Sequence, residues 1–113
     1  MKIAISSTGK TLDDNVDARF GRCSYFLIVE IENKKVKNVK AVENTAKEQM
    51  GGAGVSAAKL VAENDVSVVI TGDVGPRALD VLKQFNIGLY NGDGVIKGIL
   101  QKFIGNKLER IEK

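Results

Sequence analysis

The densest group of reactive side chains in the sequence is Arg19-Phe20-Gly21-Arg22-Cys23, which sets the only cysteine of the chain beside two arginines. Guanidinium groups next to a thiol favour the thiolate, the form that acts as nucleophile and soft-metal ligand, so Cys23 is the candidate metal ligand. Two plainer uses compete with this one. A lone cysteine also serves as a small buried hydrophobe, and the arginines have Asp13, Asp14 and Asp17 as nearby partners. Three polar or glycine-rich segments add to the set: Ser6 and Ser7 with Thr8-Gly9, the run Gly51, Gly52, Ala53, Gly54, and the turn from Gly72 to Gly75 and Pro76. Glycines allow a ligand to approach the backbone, and free N–H groups at helix starts carry partial positive charge, so an anion is the natural guest. The same glycines also suit tight turns and close helix–sheet packing.

Other chemistry is removed by composition. The chain has 113 residues and no histidine, which excludes Ser-His and Cys-His nucleophilic mechanisms and a conventional zinc site. One cysteine forms no internal disulfide. Gly51 to Gly54 lacks the Gly-Lys-Ser/Thr of a phosphate-binding Walker loop and does not follow a strand as a dinucleotide fingerprint does. A two-metal nuclease needs several acids at the strand ends. The first strand ends instead in Ser6 and Ser7, and the lone Asp73 reads as a cap of the turn after a later strand. Charge is modest, 17 Lys and Arg against 14 Asp and Glu, and Lys34, Lys35, Lys37 and Lys40 read as the solvated face of a hairpin, not a nucleic-acid surface. The opening residues hold too few apolar side chains for a signal-peptide core, and no run has the length of a membrane span, so the expected location is the cytoplasm.

These candidates need elements to position them. Ile3 to Ile5 forms the apolar centre of a first strand over Lys2 to Ser6, and Thr8 to Arg22 has no period and reads as a long, functional loop. Tyr25 to Ile31 and the stretch containing Val36, Val39 and Val42 make a hairpin whose second arm lies at a sheet edge or carries a bulge. A first helix follows from Ala53 to Asn64, with Val55, Ala58, Leu60, Val61 and Ala62 on its apolar stripe. Val66 to Thr71 is a strand covered on both faces. Pro76 opens a second helix that buries Ala78, Leu79, Val81 and Leu82. Ile87 to Tyr90 is the last strand, and a third helix runs from about Val95 to Phe103. The order β-β-β-α-β-α-β-α predicts a single α/β domain over residues 1–113, with a five-stranded mixed sheet ordered 3-2-1-4-5 in a ribonuclease-H-like arrangement and three helices. A flavodoxin-like sheet is the alternative, disfavoured because no helix separates the first two strands. Loops after parallel strands gather at one end of such a sheet, which brings the Ser6, Gly72 and Asn91 to Gly94 segments together. The position of Gly51 to Gly54 depends on how the chain leaves the hairpin.

Residues 2–31, 51–82 and 86–94, with Arg-Phe-Gly-Arg, Gly-Gly-Ala-Gly and Val-Ile-Thr-Gly-x-x-Gly-Pro in that order, resemble the dinitrogenase iron–molybdenum cofactor biosynthesis family, which includes NifX-like proteins and the C-terminal domain of NifB. The resemblance covers nearly the whole chain. It implies a ribonuclease-H-like fold without enzymatic activity, used to bind or deliver an iron–sulfur or molybdenum-containing cluster or its precursor, with cluster-assembly proteins as partners. Some relatives carry histidine where this chain has Arg19, so an imidazole ligand is missing here. A four-iron cluster ordinarily takes four thiolates. The expectation is therefore a weakly or transiently held anionic cluster, bound by backbone N–H groups, Arg19 and Arg22, with Cys23 giving at most one ligand. The protein is expected to be a monomer or weak homodimer without nucleic-acid or membrane partners. The alternative is a binding or regulatory module for a phosphorylated small molecule at the same loops.

Overall fold

A computed structural model of the chain describes residues 1–111. Eight elements follow the expected order: β1 (Lys2–Ser7), β2 (Tyr25–Glu32), β3 (Lys35–Glu43), α1 (Ala53–Glu63), β4 (Val68–Thr71), α2 (Pro76–Gln84), β5 (Gly88–Asn91) and α3 (Ile96–Ile104). The sheet order is β3-β2-β1-β4-β5, as expected. β2 runs antiparallel to β1 and β3, whereas β4 runs parallel to β1 and β5. This pairing excludes the flavodoxin-like alternative, in which a helix would separate β1 from a parallel neighbour.

Two alternating patterns divide the core. Ala4, Phe26, Ile28 and Val69 face α1 and α2, while Ile3, Ile5, Leu27, Val29 and Ile70 face α3. Successive strand side chains point to opposite faces, so a continuous apolar run such as β1 supplies both layers. The helix stripes are narrower than the sequence suggests. α1 buries Ala53, Ala57, Ala58 and Val61, and α2 buries Ala78 and Leu82, with Leu60, Ala62, Leu79 and Val81 only partly covered. Small residues dominate here because the two helices pack on each other as well as on the sheet.

The sheet edges are protected. Asn33 and Lys34, at φ 52 and 64, form the two-residue turn of the hairpin. The register shifts between Glu30 and Ile31, so Lys37 is the unpaired residue of a bulge on β3. An exposed, lysine-bearing, bulged strand resists pairing with another edge. At the other edge the C-terminal segment lies along β5, with Asn91 N–H donating to the Glu109 carbonyl and Ile111 N–H to the Leu89 carbonyl.

Candidate functional site

β3 runs parallel to β1 through two antiparallel pairings, with Ser7, Tyr25 and Glu43 in register. The chain therefore leaves the hairpin at the same end where β1, β4 and β5 finish. The segments 8–24, 44–52, 72–75 and 92–95 all meet there, which places Gly51 to Gly54 with the other candidates.

Close backbone contacts fix how they meet. A Cβ built on Gly21 would lie 2.9 Å from the Gly54 nitrogen and 3.0 Å from its Cα, so the Arg19 to Cys23 segment lies directly on the first turn of α1. A Cβ on Gly54 would in turn sit 3.2 Å from Ala78 Cβ, which puts the first turns of α1 and α2 side by side. A Cβ on Gly72 would come within 2.6 Å of Ala18 Cα, and Arg19 and Asp73 form a parallel bridge. Phe20 N–H donates to the Asp73 carbonyl. Glycine is needed at 21, 54 and 72 for packing, whereas Gly51 and Gly75 have open space where a side chain would go.

The helix starts differ in what covers them. α1 and α2 have no side-chain cap and no acid in the first turn, and the N–H groups of Ala53, Gly54, Val55, Arg77 and Ala78 have no partner among the described residues. Expected as a cap, Asp73 instead keeps an exposed side chain without a hydrogen bond among the described residues, and Gly75 occupies the N-cap position. The start of α3 is closed by its own chain: Ile96 and Lys97 N–H donate to the carbonyls of Asp14 and Leu12, both at 2.9 Å. The Asn91 to Gly94 turn is thus not part of an open site. Positive potential from unpaired N–H groups gathers on the α1 and α2 side alone.

The predicted site residues divide by depth. Arg19, Arg22, Gly51, Gly52 and Gly75 are exposed, and Gly21, Gly54 and Gly72 are half-buried. Ser6, Ser7, Phe20 and Cys23 are buried beneath them. The Ser6 hydroxyl pins the long loop to the sheet, lying 2.7 Å from both the Asp17 carbonyl and Thr71 Oγ1. Ser7 Oγ donates to the Gly9 carbonyl and accepts from the Gly9 N–H. Phe20 packs its ring against Phe26 with centroids 5.2 Å apart.

Cys23 requires a correction. The sequence favours a thiolate between two guanidinium groups, but burial pushes the thiol up to about 12, well above its ordinary 9.0, and the Asp17 charge adds to the shift. The Ser7 backbone N–H and the Asn44 amide pull the other way without reversing it. The thiol donates to the Phe20 carbonyl at 3.4 Å. The arginines are spent elsewhere. Arg19 Nε and Nη2 donate to the Asp17 carboxylate at 3.3 and 3.4 Å, and this hydrogen bond, then the charge, raises the Arg19 pKa further. Arg22 Nη1 donates to two carbonyls, Lys47 at 2.8 Å and Gln49 at 2.6 Å. Low dielectric around Cys23 therefore decides its protonation.

Asn44 is the functional-end residue that sequence reasoning passed over. Only 1% exposed, its Nδ2 donates to the carbonyls of Gly21 and Cys23 at 3.1 and 2.9 Å, and its Oδ1 accepts from Ala46 N–H. An Asn just after a strand, poised to form an Asx turn two residues on, was the available signal. Among the described residues there is no group of three or more His, Cys, Asp or Glu able to hold a metal ion, and no helix is long and apolar enough to cross a membrane.

The fold is a small mixed α/β domain whose loop end gathers two uncapped helix starts and two arginines, with no set of metal ligands among the described residues. The chain belongs to the dinitrogenase iron-molybdenum cofactor family, whose model matches residues 1–106. It is 37% identical over 114 residues to uncharacterized protein MJ0580 of Methanocaldococcus jannaschii, covering 99% of this chain and 97% of that one. Among solved structures it resembles the apo form of the orange protein from Desulfovibrio gigas, with a TM-score of 0.90 and 28% identity over 97% of this chain and 92% of that one. It also resembles TM1290 of Thermotoga, described as a candidate NifB protein, with a TM-score of 0.82 and 31% identity over 96% of this chain and 91% of that one. Family membership relates the chain to the dinitrogenase iron-molybdenum cofactor.

Proposed function

We propose that the protein is a non-enzymatic carrier that takes up an anionic metal–sulfur cluster, or a molybdenum- or iron-containing precursor of one, at the loop end of the sheet and releases it to an assembly protein. The observation that carries this reading is the side-by-side arrangement of two uncapped helix starts, with Gly54 against Ala78 and Gly21 against the start of α1. Partial positive charge at both starts, reinforced by the Arg22 charge at the rim, with Arg19 beside it paired to Asp17, attracts an anion without a covalent ligand. Family membership supplies the kind of anion.

Loose holding follows from the residues. Cys23 contributes at most one ligand, and only after the 19–23 segment opens and the thiol loses its proton. While the segment stays closed, burial holds that proton by pushing the thiol up to about 12. Cargo held by N–H groups and guanidinium is released when a partner offers thiolates.

Anaerobic reconstitution with iron, sulfide and molybdate, followed by desalting, absorbance and metal analysis, tests the reading. Cluster absorbance is expected in the wild type and largely retained in Cys23→Ser. Absence of cluster-dependent absorbance in both proteins overturns the proposal. The same site geometry accepts a phosphate, so thermal-shift measurements with nucleotides run alongside. A ligand at a hundred times its dissociation constant adds about 2.7 kcal/mol, and stabilisation by a nucleotide alone would assign the site to a phosphorylated small molecule.

A further inference from the structure

The 44–52 segment is fastened in an uneven way. Its first part is anchored in the core: Asn44 and Ala46 are buried, and Asn44 N–H donates to the Ser24 carbonyl. Its last part is a swivel, because Gly51 has nothing within 4 Å of a built Cβ and Gly52 sits at φ 72, where only glycine is unstrained. Between them stands Met50, 99% exposed. Among the described residues, the hydrogen bonds that tie the middle of the segment to the rest of the molecule come from one exposed side chain, the Arg22 guanidinium on the carbonyls of Lys47 and Gln49. The remaining bonds of this stretch are internal: Lys47 N–H to the Asn44 carbonyl, Gln49 N–H to the Ala46 carbonyl and Gln49 Nε2 to the Gly51 carbonyl.

A guanidinium on two neutral carbonyls is an exchangeable arrangement. An ionised acceptor makes hydrogen bonds roughly twice as strong as a neutral one and offers Arg22 a paired, planar set of atoms. Arg22 lies one residue from Gly21, which touches the first turn of α1. Gln49, whose carbonyl accepts from Arg22, has its Nε2 3.5 Å from a Cβ built on Gly52, the N-cap of α1, so the guanidinium is held by the residues that lead into that helix.

Resting on the anionic-cargo reading above, we propose that Arg22 is a latch: an oxo- or thio-dianion at the α1 start takes over the guanidinium from the Lys47 and Gln49 carbonyls, and residues 47–50 are released on the Gly51-Gly52 swivel. Release moves Met50 while Gly52 stays as the N-cap of α1, so the loaded and empty states present different surfaces to a receiving protein. The strap reports occupancy, and Arg22 couples the two events.

NMR of the 15N-labelled full chain tests this with tetrathiomolybdate as the dianion and sodium chloride at matched ionic strength as control. In Arg22→Gln without ligand, amide exchange at Gln49 should accelerate about tenfold or more, as expected for loss of a hydrogen bond to a charged group, while Val69 and Ile70 in the core stay protected. Arg22→Lys, which keeps the charge but loses the fork, should fall between. In the wild type, tetrathiomolybdate should shift the Arg22 side-chain Nε resonance and accelerate Gln49 to the same degree. A strap that stays protected in Arg22→Gln overturns the latch. So does a wild type in which the anion shifts the Ala53, Gly54, Arg77 and Ala78 amides while Gln49 exchange is unchanged, an outcome that leaves the cargo reading intact. Absence of shifts at any amide at the loop end overturns the cargo reading and, with it, the exchange at Arg22.

Discussion

Gly21→Ala is the sharpest perturbation of the loop end. The added methyl would stand 2.9 Å from the Gly54 nitrogen, 3.0 Å from Gly54 Cα and 3.3 Å from the Ala53 carbonyl carbon, all backbone atoms that no side-chain rotation can clear. Either the 19–23 segment or the first turn of α1 must shift. Forcing an extra methyl into a packed contact costs about 1–3 kcal/mol, while alanine recovers about 0.4–1 kcal/mol by restricting the unfolded chain. A net loss of about 1.5 kcal/mol remains, equivalent to a fall in Tm of about 6 °C for a domain of this size. Gly51→Ala is the matched control, since nothing lies within 4 Å of its Cβ. Its Tm should stay within about 1 °C of the wild type or rise slightly. Circular dichroism melts measure both. A tetrathiomolybdate titration should also show weaker binding by Gly21→Ala, because moving the start of α1 separates it from that of α2. Melting within about 1 °C of the wild type together with unchanged binding would refute the claim that Gly21 sets the spacing of the two helix starts.

Three further outcomes follow from the same geometry. Asn44→Ala leaves the Gly21 and Cys23 carbonyls and the Ala46 N–H without their partner, and urea denaturation should show a loss of about 3 kcal/mol; a loss below about 1 kcal/mol would show that water replaces the amide. For Cys23 the folded thiol titrates at about 12 against 9.0 when unfolded, so the unfolded chain loses its proton first. The stability that Cys23 contributes is complete below pH 9 and falls by about 1.4 kcal/mol per pH unit above it; denaturation of wild type and Cys23→Ala from pH 8 to 10.5 should show this extra decline in the wild type only. Asp17→Asn releases Arg19 and removes a negative charge from the loop end, so tetrathiomolybdate should bind more tightly, and unchanged or weaker binding would place Arg19 outside the site.

Much of the architecture was legible because apolar periodicity and its interruptions are local signals. Ile3 to Ile5, Val68 to Ile70 and the Tyr25 to Ile31 run gave strands, Pro76 marked the start of α2, and a hairpin followed by β-α units left few sheet orders compatible with right-handed crossovers. The site was legible as a set of segments and not as a set of roles. Arg22, Cys23 and Phe20 are neighbours in sequence, yet the fold sends the first to solvent and the other two into the core. Whether an arginine beside a thiol lowers its pKa depends on which way it turns, and here Asp17 and the 47–49 carbonyls claim both guanidinium groups. Asn44 stayed hidden for a similar reason: beyond its local bond with Ala46, its amide reaches back more than twenty residues to the carbonyls of Gly21 and Cys23.

The two faces of the sheet explain why uncapped helix starts lie on one side of the loop end only. Twelve residues of the long loop lie between β1 and Phe20, enough to spend Leu12 and Asp14 carbonyls on the start of α3 and still return Ala18 to Gly72. Closing that start stabilises α3, which covers its face without a second helix, by satisfying N–H groups that water would otherwise take. On the opposite face α1 and α2 support each other through Ala57, Ala58, Ala78 and Leu82, so neither needs a cap to stay in place. The stability that a Ser or Asp cap would add, about 1 kcal/mol per helix, is forgone at both starts. Omitting it at two adjacent helices, while the third is covered, sets the unpaired N–H groups of Ala53, Gly54, Val55, Arg77 and Ala78 side by side at the loop end.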